Sequence, residues 1–144
     1  MCYNKIMNYK ILLIPFLSLF VIQNVYSKHL YSEKTYQTQW CKARGGQTEY
    51  VLNDKTRIDC LLPDIAVEFD FAPKWHECIG QALYYAKKTN KTPACVLILE
   101  NGDKDLKYLY RLRYTVYKKK KILDFKTFTM KPENINLQCE LPSP

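Results

Sequence analysis

Three features of the sequence predict an α/β domain built on one sheet. Short alternating runs read as strands, amphipathic stretches of helical period separate them, and the continuous apolar run from Ala94 to Leu99 suits a strand covered on both faces. The predicted order is a helix, a three-stranded β-meander, a helix, a further strand, and a C-terminal helix and strand. The first helix spans Glu33 to Arg44. Ser32 can accept from its first turn, Tyr36, Trp40 and Ala43 are spaced to face a core, and Gly45-Gly46 ends it. Strands follow at Glu49 to Leu52, Arg57 to Leu61 and Ala66 to Phe71, separated by the polar turn Asn53-Asp54-Lys55-Thr56 and by Pro63-Asp64. From Lys74 to Thr89, Trp75, Ile79, Leu83 and Ala86 recur at spacings of three and four, which makes a second amphipathic helix closed by Asn90 and Pro93. The apolar strand beyond it is expected to lie parallel to the preceding one, through a right-handed crossover. Asn101-Gly102 then turns the chain into a helix over Asp103 to Tyr117, Ile122 to Met130 alternates like a last strand, and Lys131 to Pro144 reads as an irregular tail.

The 144 residues carry 22 Lys and Arg against 14 Asp and Glu, a balance of +8. Residues 1–27 read as a secretory signal peptide: Lys5 and Lys10 precede an apolar run from Ile11 to Ile22, and Val25-Tyr26-Ser27 offers a cleavage site. That run is well short of the roughly 18 to 20 residues needed to cross a bilayer, so no stable membrane span is expected after cleavage. Residues 28–144 then form a single exported domain, periplasmic or secreted. Loss of the two lysines takes the charge to +6. Four glycines and two histidines argue against Gly-rich phosphate loops, most His-based metal sites and His triads. Five cysteines remain (Cys41, Cys60, Cys78, Cys95, Cys139) in a compartment where disulfides form. Cys41 and Cys60 could bridge helix to sheet, while Cys78 and Cys95 could be buried thiols, pair with each other, or pair with Cys139.

The chemistry left open runs through carboxylates. Alternation along Ala66 to Phe71 puts Val67, Phe69 and Phe71 on one face and Glu68 with Asp70 on the other. Asp59 sits inside the preceding strand, and a hairpin would bring its carboxylate close to Glu68. Acids held together in a sheet repel each other unless a cation lies between them, so Asp59, Glu68 and Asp70 are candidate ligands for a hard cation, Mg²⁺ or Mn²⁺. The competing expectation is a solvated sheet face neutralised by nearby Lys and Arg. Lys74 and Gln81 stand two helical turns apart, with Glu77 beside them, on a polar stripe facing either these acids or solvent.

Five strings carry a resemblance: Gly46 to Tyr50, Arg57 to Leu61, Ala66 to Ala72, Lys74-Trp75 and Gly80 to Ala86. Together with the element order over Thr35 to Glu100, they resemble small PD-(D/E)XK nuclease-like proteins of restriction-endonuclease-like fold. The resemblance implies that Asp59 and Glu68 are metal ligands and catalytic acids, and that Gln81 helps to arrange the site. It also allows Glu49 or Glu33 as an additional ligand. The motif's lysine should stand two residues after Glu68, where Asp70 is found instead, and Lys74 on the following helix is the natural replacement. The site would then be a divalent-metal-dependent phosphodiesterase acting on DNA or RNA, in which Lys74 positions water or stabilises charge on the scissile phosphate.

Arg111, Arg113 and Lys118, Lys119, Lys120, Lys121, interleaved with tyrosines, form a basic and aromatic segment suited to phosphates and bases. The same segment also fits a solvated helix face with its tyrosines half-buried. Two further functional expectations therefore stand beside the nuclease: a catalytically inactive nuclease-fold module that binds nucleic acid or another polyanion, and a small secreted structural protein.

Overall fold

The computed structural model describes residues 29–117 and 124–135, so the signal segment, Lys118 to Lys121 and Cys139 lie outside the described residues. The helices are α1 (Glu33–Lys42), α2 (Trp75–Thr89) and α3 (Asp103–Val116). The strands are β1 (Gln47–Val51), β2 (Arg57–Leu61), β3 (Ile65–Phe71), β4 (Thr92–Ile98) and β5 (Lys126–Met130). The predicted element order is observed, with boundaries moved by up to four residues. Among the described residues no helix is long and apolar enough to cross a membrane.

The five strands form one sheet in the order β1-β2-β3-β4-β5. β1, β2 and β3 run antiparallel as a meander, whereas β4 pairs with β3 and β5 with β4 in parallel. The parallel half follows from its connections, since α2 and α3 carry the chain back along the sheet between successive strands. Alternation divides the core between the two faces. Val67 and Phe69 of β3 and Val96 and Ile98 of β4 pack with Tyr36 and Trp40 of α1. Cys95 and Leu97 of β4 pack on the other face with Cys78 and Ala82 of α2 and Leu109 and Leu112 of α3. Both faces of β4 are therefore covered, which explains its unbroken apolar sequence.

α1 starts where its cap predicts: Ser32 Oγ accepts from the Thr35 N–H at 3.2 Å. It stops at Lys42, two residues earlier than the spacing suggests, so Ala43 is exposed and does not face the core. Gly45, at φ +66°, reverses the chain into β1. α2 is rotated from its expected phase. Its buried line is Cys78, Ala82 and Ala86, with Trp75, Ile79 and Leu83 half-buried along one edge, because small side chains let the helix approach the sheet closely.

Two disulfides tie helices to sheet. Cys41–Cys60 joins α1 to β2, and Cys78–Cys95 joins α2 to β4, settling the alternatives for the second pair. Their sequence separations of 19 and 17 are each in the range where a cross-link stabilises by roughly 3 kcal/mol through the unfolded chain. Gly46 sits against the first bridge so tightly that an added Cβ would stand 2.6 Å from Cys41 Sγ and 2.8 Å from Cys60 Sγ.

Candidate functional site

The β2–β3 ladder pairs Leu61 with Ala66 and Cys60 with Val67, and goes no further. The next opposed residues are Asp59 and Glu68, and there the side chains take over from the backbone. The Phe69 N–H donates to Asp59 Oδ2 at 2.8 Å, and the Asp59 N–H donates to Glu68 Oε1 at 3.3 Å. The strands fork at this point, and the two carboxylates span the opening. The backbone turns with the fork: Ile58 packs with Ala66 and Ala86 towards α2, while Cys60, of the same parity, packs towards α1.

The fork opens into a polar cleft of about 590 Å³. β2 and β3 supply Asp59, Glu68 and Asp70, α1 supplies Glu33, and Lys74, Glu77 and Gln81 come from the segment that starts α2. Glu68 and Asp70 are 3% and 4% exposed, so the solvated-face expectation for these acids is overturned. Every residue of β3 up to Asp70 is buried, because α2 covers the face that alternation gives to the acids. Gln81 and Lys74 do share the cleft with the acids, as two helical turns between them allow.

Burial dominates the electrostatics. It raises the pKa of both Asp59 and Glu68. A backbone N–H bond from Phe69 opposes the rise at Asp59, and the Asp59 charge adds to it at Glu68. Asp70 is pushed up to about 7, first by burial and then by Glu33, with Lys74 opposing. Glu33 is also raised by burial, against the charges of Lys74 and His29. Among the described residues Asp70 Oδ1 is buried with no hydrogen-bond donor, and Lys74 Nζ lies 3.9 Å from it. Lys74 Nζ also lies 3.6 Å from Glu77 Oε2, and its side chain is 57% exposed. Hard oxygen donors are the class that Mg²⁺ and Mn²⁺ take, and the expected ligands Asp59, Glu68 and Asp70 all line the cleft, with Glu33 from α1. Among the described residues, however, no group of three or more His, Cys, Asp or Glu side chains is placed so that it could hold a metal ion. Glu49 is not part of the cleft lining, but it is ion-paired at 2.9 Å with Arg57, which is, and its charge adds to the rise at Asp59 and Glu33.

No family model, curated protein or solved structure matches this chain.

Sequence reasoning missed the cleft residues Lys55, Arg57 and Tyr85, and the cluster around Glu100. Tyr85 lines the cleft, and its phenol is raised first by burial and then by the Glu68 charge. The signal was present, since Tyr85 follows Gln81 by one helical turn. Glu100, just past β4, had no such signal. It accepts from the N–H groups of Leu30 (3.0 Å) and Tyr31 (3.3 Å) and from the Tyr36 hydroxyl (2.8 Å), and it pairs with His29 Nδ1 at 2.9 Å. Burial works against its charge, but the Tyr36 and His29 bonds outweigh burial and hold its pKa below the ordinary value. His29 stacks on Phe71, centroids 3.5 Å apart, which places this N-terminal strap beside the end of β3. Arg111 and Arg113 are exposed on α3.

Proposed function

We propose that the chain is an exported module of restriction-endonuclease-like fold that binds nucleic acid or a related polyanion, with a divalent cation in the acidic cleft as the bridge to phosphate. The observation that carries this reading is the buried Asp70 Oδ1, without a donor among the described residues, beside two further acids whose charge burial opposes. Left to themselves these carboxylates repel a phosphate backbone. Mg²⁺ is commonly held by one or two carboxylates together with substrate phosphates and water, so an open set of acids is a suitable half-site. The two disulfides support export, because they hold the walls of the cleft in an oxidising compartment.

A second reading, metal-dependent phosphodiester hydrolysis, is favoured by Lys74, which lies in the same cleft although Asp70 occupies the motif's lysine position. When bound, the cation would supply Lewis-acid activation of water and of the scissile phosphate. Lys74 would then offset charge on the phosphate, and Gln81 and Tyr85 would orient polar groups around it.

The test is one assay on the purified mature chain. Supercoiled plasmid is incubated with the wild type, Asp59→Asn or Glu68→Gln, in Mn²⁺ or in EDTA, and both retention and nicking are followed. Manganese-dependent retention that both substitutions abolish, without nicking, supports the binding reading. Nicking abolished by the same substitutions supports hydrolysis. Neither retention nor nicking by the wild type sinks both readings and leaves a structural protein.

A further inference from the structure

The polar face of α3 is not accounted for by the cleft. α3 buries Asp105, Leu109, Leu112 and Val116 against the sheet and α2. The opposite face carries Lys107, Tyr110, Arg111 and Tyr114, spaced as one line along the helix. Tyr110 is 69% exposed and Tyr114 87%, an unusual degree for two large aromatic residues on one helix face. Lys107 Nζ and the Arg111 guanidinium both lie over the half-buried Tyr108 ring, at 4.9 and 5.6 Å from its centroid, and stand on the same helix line as the two exposed rings. Of the two acids in the first turn, Asp105 is withdrawn from this face, accepting from the Asn101 N–H at 3.0 Å, and Asp103 stays exposed one turn before Lys107.

We propose that this face of α3 is a binding surface for single-stranded nucleic acid, with Tyr110 and Tyr114 as stacking platforms and Lys107 and Arg111 as phosphate partners. The proposal rests on the nucleic-acid reading above and names the class of strand. Rings that accept bases in sequence-tolerant fashion, beside cations that follow the backbone, make up a single-strand site. The spacing favours single strands over duplex. Residues four apart are separated by about 6 Å along a helix axis at 1.5 Å per residue, whereas bases in a duplex stand roughly 3.4 Å apart along each strand. The rings therefore match bases that are splayed apart. An anionic membrane is the poorer occupant, because the face lacks the Trp, Phe or Leu that anchor an interfacial helix.

The test measures anisotropy of a labelled 15-nucleotide oligothymidylate with the mature chain in EDTA, where a cation bridge in the cleft contributes nothing. Tyr110→Ala/Tyr114→Ala should weaken binding by at least about tenfold, while Tyr110→Phe/Tyr114→Phe keeps it, since stacking does not need the hydroxyls. Lys107→Gln/Arg111→Gln should lower the slope of log affinity against log salt by about 1.4, two phosphate contacts at roughly 0.7 each. Because all four side chains are exposed, circular dichroism should show unchanged folding. No oligothymidylate binding by the wild type, an alanine pair within twofold of it, or tighter binding to a 15-base-pair duplex or to phosphatidylserine vesicles would overturn the proposal. Loss of manganese-dependent plasmid retention with tyrosine-dependent oligonucleotide binding intact would locate the failure in the cleft reading alone.

Discussion

Asp70→Asn isolates the electrostatic cost of the cleft. Burial holds this carboxyl at about 7 against an ordinary 3.8; Glu33 and Glu77 add to the rise and Lys74 opposes it. Between those two values the folded chain takes up a proton that the unfolded chain releases. Stability therefore falls as pH rises through that window and levels off above about 7. A shift of about three units corresponds to a ceiling of about 4 kcal/mol. Asparagine removes the charge but brings an amide that needs its own partner in the same place, so about 1–2 kcal/mol of gain should remain at pH 8. Urea denaturation of both proteins in EDTA should show almost no difference at pH 3, where the carboxyl is largely neutral in both states, and the full gain at pH 8. Manganese should then stabilise the wild type, by about 2.7 kcal/mol at a hundredfold excess over the dissociation constant, and the variant by much less. A variant no more stable than wild type at pH 8 in EDTA, or one with an equal gain at pH 3 and pH 8, would refute the reasoning.

Three further outcomes are expected. Cys41→Ala/Cys60→Ala should cost about 2–4 kcal/mol by denaturant titration, and adding reductant should lower the wild type more than this variant, which has lost one of the two bridges. Gly46→Ala should destabilise by about 1–3 kcal/mol, since its Cβ must displace the sulfurs of that bridge, and it should be better tolerated when Cys41 and Cys60 are already alanine. Glu100→Ala should leave the buried Tyr36 hydroxyl without its acceptor, costing about 1–3 kcal/mol. Hydrogen exchange at the Leu30 and Tyr31 amides should accelerate in that variant; unchanged protection there would mean that Glu100 does not hold the strap.

Much of the architecture is legible locally. Ser32, the turn before Arg57 and the apolar run of β4 mark elements by chemistry that acts within a few residues. α2 shows where that legibility ends: Trp75, Ile79 and Leu83 are the larger apolar residues, yet the helix buries the smaller line of Cys78, Ala82 and Ala86. Which side of an amphipathic helix sits closest is set by how near its backbone can come to the sheet, and spacing alone does not contain that distance. Cleft membership was similarly half legible. Lys74 and Gln81 follow from helical period, whereas Glu33 joins them only because α1 crosses the other wall.

The sequence by itself determined the order of the elements, the sharing of one β3 face by Glu68 and Asp70, and the nearness of Asp59 to Glu68, since each follows from strand alternation and a short turn. Tertiary structure alone decided that Glu68 and Asp70 are buried, that the ladder forks where Asp59 meets Glu68, and that Asp70 is left with an oxygen that no donor among the described residues reaches. Burial and hydrogen-bond satisfaction depend on what the rest of the chain lays over a residue. For these acids the cover is α2 on one side, with α1 closing the opposite wall of the cleft.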